Sequence, residues 1–110
     1  LTLKLLTIKK GSKGGLQYHH KKNECGYIIS GKLKLIFQNK KGKLSQKILK
    51  KGDVFHIPPL SVHQEEAITK CEIIEASSSH FNDRVRVEKL FDIKHSKGLK
   101  TTKARDVIHI

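Results

Sequence analysis

GSKGGLQYHHKKNECGYIISG, from Gly11 to Gly31, has glycine-bounded turns at its ends and polar side chains at strand spacing between them. In an extended strand successive side chains alternate faces, so Gln17 and His19 point the same way while Tyr18 and His20 point away. Five positions beyond His19, after the Lys21-Lys22-Asn23 turn, Glu24 returns to that face. A second stretch, GDVFHIPPLSVHQEEA from Gly52 to Ala67, adds an imidazole at His63, which follows the rigid Pro58-Pro59 pair and begins another strand. Imidazole nitrogens with an amide and a carboxylate oxygen make a borderline-hard donor set. It suits one divalent transition metal, Zn, Mn, Fe, Co or Ni alike, and an ion with open positions acts as a Lewis acid.

Outward from these segments the chain reads as short strands. Leu1 to Ile8 alternates, with Leu3 and Leu5 set against Lys4 and Leu6; Cys25 to Ser30 is a short apolar run; Lys32 to Gln38 alternates again. Ser45 to Leu49, Val54 to Ile57, His63 to Ile68 and Glu72 to Ala76 follow, separated by the turn signals Ser30-Gly31, Asn39 to Lys43, Lys50 to Asp53 and Pro58-Pro59. About eight strands with no 12-residue amphipathic helix among them predict an all-β sandwich or barrel, with a jelly roll the leading architecture. Asp83 to Phe91 reads as a last strand or a short C-terminal helix, and Asp106 to Ile110 as a small strand in a polar extension. Leu33, Leu35, Phe37, Ile48, Phe55, Ile57, Ile68, Ile73 and Ile74 are the expected core or dimer-face positions.

The 110 residues leave room for one domain. We expect a jelly-roll domain over residues 1–96 and a basic C-terminal extension over 97–110. The net charge of +13 raises an anionic partner, but its distribution argues against specific nucleic-acid binding. Fourteen Lys face the single acid Glu24 up to Lys51, whereas Gly52 to Asp92 holds four bases and eight acids. Only Arg84, Arg86 and Arg105 are Arg, the residue whose planar fork suits phosphate and base edges. Aromatic residues make up 5%, and none are interleaved with the basic runs as stacking platforms require. No apolar run approaches the roughly 18 residues of a membrane helix, and the first ten residues lack a signal-peptide core. Cys25 and Cys71, far apart and outside any CxxC, read as free thiols of a reducing compartment, so a cytoplasmic location is expected. With Leu1 first and no Met anywhere, the true start is expected upstream. No dinucleotide fingerprint, P-loop or nucleophile elbow is present, so nucleotide hydrolysis and Ser-dependent acyl transfer have no support.

Gly11, Gln17, His19, Glu24 and Gly31 fall at the offsets of the first cupin motif, G-x5-H-x-H-x4-E-x6-G, with Gln for the first His. Gly52, Pro58 and His63 meet the second, G-x5-P-x-G-x2-H-x3-N, with Leu60 for its Gly and Ala67 for its Asn. The chain thus resembles a small single-domain cupin, which implies a double-stranded β-helix, or jelly-roll barrel, holding a metal inside. The string LQYHHKKNE, the GDVFHIPP segment with His63, and NDRVRVE at 82–88 are similar to the cupin domain of type II phosphomannose isomerases. That resemblance implies Gln17, His19, Glu24 and His63 as metal ligands. It also implies a mannose-6-phosphate isomerase-like aldose–ketose shift on a sugar or sugar phosphate. The alternative is a non-catalytic, metal-containing cupin that binds a sugar or other small ligand. The family pattern D-D-I-V-R-F-E-D-x-Y-G-R is met at Asp83, Arg86 and Glu88, but Lys89, Phe91, Asp92 and Ile93 replace its last conserved residues. The Pro-Trp-Gly element that often precedes such domains is absent.

Among single residues, Glu65 shares the face of His63 two positions on and is the expected catalytic base. Lys22 stands where the family carries a basic residue near its sugar phosphate, and Arg86 is expected to grip substrate, the alternative being an ion pair with Asp83. His56 faces outward if Phe55 and Ile57 face the core, and lines the cavity in the other register; it is taken as a substrate contact. A homodimer, covering exposed strand edges, is the expected assembly.

Overall fold

In the computed structural model, which describes residues 1–99 and 103–108, the chain forms nine antiparallel strands in two facing sheets. The strands are β1 (Thr2–Ile8), β2 (Gln17–His19), β3 (Glu24–Ser30), β4 (Lys32–Gln38), β5 (Leu44–Lys50), β6 (Val54–Ile57), β7 (His63–Ala67), β8 (Cys71–Ser77) and β9 (Arg84–Arg86). The four-stranded sheet runs β1-β8-β3-β6 and the five-stranded one β5-β4-β7-β2-β9, the arrangement of the expected jelly roll. Gly31 adopts φ 87° in the tight β3–β4 hairpin, where a Cβ would collide with the Lys70 carbonyl. Only glycine lets that turn close.

Register arranges the interior in layers. On the first sheet Thr2, Ser77 and Glu24 stand side by side, then Lys4, Glu75 and Gly26, then Leu6, Ile73 and Ile28. On the facing sheet His63 lies between Gln17 and Phe37, followed along β7 by Glu65 beside Leu35 and Ala67 beside Leu33. The interior therefore grades from polar at one end to apolar at the other. Ile28, Leu33, Cys71 and Ile73, all fully buried, form the apolar end, and Phe55 and Ile57 on β6 carry the core along the edge beside Gly26 and Glu24. Apolar burial at roughly 25 cal/mol per Å² is what holds the sheets together.

The structure differs from expectation in three places. Ile48, on the outer strand β5, and Ile68, past the end of β7, are 45% and 38% exposed, because no element packs over either position. The segment 83–91 divides into β9 and a 3-10 turn, Glu88–Phe91, so it is strand and helical turn in sequence. The small strand expected at Asp106 to Ile110 is not formed by its described residues: Asp106 ends a 3-10 turn, Ala104–Asp106, and Ile108 is exposed; residues 109–110 lie outside the described residues.

Candidate metal centre

β2, β3 and β7 bring three ligand-type side chains together at the polar end of the barrel. Nitrogen or oxygen atoms of His19, Glu24 and His63 all lie within 4.8 Å of one another, and all three residues are buried. The Nε2 atoms of His19 and His63 approach Glu24 Oε1 at 3.6 and 3.4 Å. Their other ring nitrogens are engaged: His63 Nδ1–H donates to the Ser61 carbonyl (2.9 Å) and His19 Nδ1 meets Asp83 Oδ1 at 3.2 Å. Nδ1–H bonding of this kind fixes the tautomer and leaves both Nε2 lone pairs aimed at one point, as second-shell partners of metal-bound imidazoles do. Gln17, paired with His63 across β2 and β7, lines the same cavity, and its Oε1 is buried with no hydrogen-bond partner among the described residues. An orphaned buried carbonyl costs about 1–3 kcal/mol, a cost that a cation would remove. The residues present fit a single divalent ion.

The electrostatics point the same way. Burial alone would raise the Glu24 carboxyl, but the His63 hydrogen bond and the Lys22 ammonium outweigh it and hold it well below the usual carboxylate range. Burial also dominates at His19, lowering it and keeping the ring neutral. At His63 burial is overcome by the Glu24 hydrogen bond, the Ser61 carbonyl and the Glu65 charge, which raise the ring.

The segment before His63 is pinned to β2: Leu60, where the second motif has glycine, takes φ 68° and donates its N–H to the His19 carbonyl at 2.8 Å. Asp83 does more than the sequence indicated. Its carboxylate accepts the amides of Lys21 (2.7 Å) and Lys22 (2.8 Å) besides facing His19, so the loop before Glu24 and the His19 ring share one anchor. Burial alone would raise the Asp83 carboxyl, but the Lys21 and Lys22 amides and the His19 ring together outweigh it and hold it below the usual carboxylate range. We expect Asp83→Asn to weaken metal binding about 10- to 100-fold, the usual cost of losing an outer-shell partner, in a competitive chelator titration.

Glu65 and Lys22 face the cavity around this triad. Lys22 Nζ lies 3.2 Å from Glu24 Oε2 and 3.9 Å from Glu75 Oε1. Burial raises the Glu65 carboxyl, with the Glu24 charge adding to it against the opposing His63 ring. Two further cavity residues went unread in the sequence: Glu75, and Lys4, whose Nζ is 3.4 Å from Glu75 Oε1. Burial and the charges of Glu24 and Glu65 outweigh Lys4 and push Glu75 up to about 8. The available signal was an acid at an inward position of β8, two residues from buried Ile73.

Two expected substrate contacts are placed elsewhere. His56 alternates with buried Phe55 and Ile57, so it faces outward, its Nε2 2.6 Å from Asn23 Oδ1. Arg86 does not pair with Asp83 or reach the triad. It forks onto Glu88 (Nε 3.1 Å, Nη2 2.5 Å to Oε2) and donates Nη2–H to the Ser96 carbonyl at 2.7 Å. The almost fully buried Glu88 carboxylate claims the guanidinium.

The Cupin domain family matches residues 4–76, and the chain belongs to that family. Among solved structures it is similar to the capsular polysaccharide assembling protein CapF from Staphylococcus aureus (TM-score 0.67, 23% identity, 77% of this chain and 27% of that one). It is also similar to QdtA, a sugar 3,4-ketoisomerase from Thermoanaerobacterium thermosaccharolyticum in complex with TDP (0.67, 18%, 82% and 69%). A third is the oxalate decarboxylase of Bacillus subtilis, with Mn(II) centres (0.63, 22%, 84% and 25%). At such identities the likeness speaks for the fold, and the chain spans only about a quarter of CapF and of the decarboxylase. No curated protein matches the chain.

Proposed function

We propose that this cupin binds one divalent transition metal through Gln17, His19, Glu24 and His63 and isomerises a sugar or sugar phosphate in the mannose-6-phosphate isomerase-like manner. The observation that carries the metal is the pair of Nε2 atoms converging on Glu24 Oε1 while both Nδ1 atoms are occupied. A bound ion would supply Lewis acidity toward substrate oxygens. Glu65, which lines the same cavity, would take the proton from C2 of the aldose and return it to C1 of the enediol while the O2 hydroxyl proton passes to O1, giving the ketose with no net change in atoms or electrons. Lys22 would hold an anionic substrate group as a point charge. The sugar 3,4-ketoisomerase among the structural relatives is consistent with this chemistry on this scaffold. Incubation of metal-loaded protein with a panel of aldose phosphates, read as ketose formation, tests the reading; absence of product across the panel would leave the ligand-binding alternative. A cytoplasmic setting belongs to the same proposal.

We place a homodimer on the outer face of the four-stranded sheet. There Leu5, Ile74, Tyr27 and Val54 form one cross-strand row, 62%, 39%, 44% and 69% exposed, beside Leu3 in the next. A contiguous apolar row of this kind is unusual on a free surface. Sedimentation equilibrium should give twice the chain mass for the wild type and the single chain mass for Leu5→Lys/Tyr27→Lys; a monomeric wild type contradicts it.

A further inference from the structure

The cavity is larger and more two-faced than the metal cluster requires. Its volume of about 810 Å³ is in the upper part of the ~300–1,000 Å³ range of small-molecule sites. Leu6, which helps line it, stands four residues along β1 from Thr2, the residue level with Glu24, or about 13 Å at the ~3.3 Å rise of a strand. Leu6, Ile8 and, from far along the chain, Leu99 line the cavity and pack into the apolar core, with Thr7, Lys9 and Ser12 also on the lining.

Leu99 is held there by a chain of specific contacts. Arg86, fixed by Glu88, donates to the Ser96 carbonyl, and Ser96 Oγ–H donates to the Gly14 carbonyl at 2.6 Å. Gly98 then takes φ 88°, a turn that brings Leu99 against Gly14, where a Cβ would lie 3.6 Å from Leu99 Cγ. Gly15 leaves the space that the Arg86 guanidinium occupies, and any Cβ there would collide with it. Leu99, which the sequence assigns to a separate extension, thus supplies part of the wall of the cavity.

We infer that Leu99, latched by Arg86 and Ser96, forms with Leu6 and Ile8 an apolar subsite of the ligand cavity. The ligand it fits is a small molecule with an oxygen-donor head for the metal end and an alkyl or aryl portion for the Leu99 end. Only the head-group assignment rests on the proposed function.

The chain contains no Trp, so Leu99→Trp introduces a sole indole at the wall. In the full chain without metal, its emission should be blue-shifted from that of free tryptophan and its quenching by acrylamide strongly reduced. Anilinonaphthalene sulfonate, an aryl anion, should bind the wild type and lose about tenfold or more in affinity on Leu99→Asp, the scale set by a lost aliphatic contact. Ile48→Lys, on the exposed face of β5 and away from both the cavity and the outer apolar row, should leave that affinity unchanged. An indole as exposed as free tryptophan, or dye affinity indifferent to Leu99→Asp, overturns the inference. Because neither readout needs a metal, a chain that takes up no ion yet buries the indole removes the head-group assignment and keeps the subsite.

Discussion

Glu65→Gln should lower turnover of the metal-loaded protein by about a hundred- to ten-thousand-fold, the contribution of a positioned general base, while metal content stays at the wild-type level. The substitution keeps shape and removes only the ability to accept a proton. Glu65 sits two residues beyond His63 on β7, on the cavity wall, and makes no side-chain hydrogen bond or ion pair with another described residue. A fall in turnover without loss of metal or of folding midpoint therefore isolates proton transfer. Turnover within about twofold of wild type would exclude Glu65 as the base.

The second large effect is on stability. Arg86→Ala removes the guanidinium from the Glu88 carboxylate, which is 2% exposed and is then left with the Leu16 amide at 3.4 Å, the exposed His95 ring at 3.5 Å and the backbone of Glu88 and Ser96. Leaving one member of a buried pair unpaired is strongly destabilising, and the partial exposure of Arg86 moderates the cost to about 2–3 kcal/mol. Pairing with Arg86, against the burial penalty, lowers the Glu88 carboxyl from 4.5 to about 2. A carboxyl depressed on folding contributes stability above its unfolded value and loses it as pH falls. The wild type should therefore lose this increment between pH 4.5 and about 2, and Arg86→Ala/Glu88→Gln should lack that part of the pH dependence. Urea midpoints measured across that range check both statements; equal midpoints for wild type and Arg86→Ala contradict the latch.

The barrel was legible because strand alternation and glycine turns are local signals. His19, Glu24 and His63 were legible because two spaced motifs named them before any fold was known. What the sequence withheld depends on register and long-range pairing. Lys4 and Leu5 are equally plausible inward residues of an alternating strand, and only pairing with β8 turns Lys4 toward Glu75 and leaves Leu5 outside. Arg86 could reach several partners by spacing alone; the buried Glu88 and the Ser96 carbonyl decide among them. His56 was undecided until Phe55 and Ile57 proved buried. The role of Asp83 spans 64 positions to His19, a separation no local pattern reports.

The central claim is that Gln17, His19, Glu24 and His63 hold one metal ion. Elemental analysis of untagged wild-type protein beside His63→Ala tests it most directly. The account predicts close to one divalent ion per chain in the wild type and near none in the variant. A wild type free of metal even after reconstitution with Zn, Mn, Fe, Co and Ni in turn would contradict it.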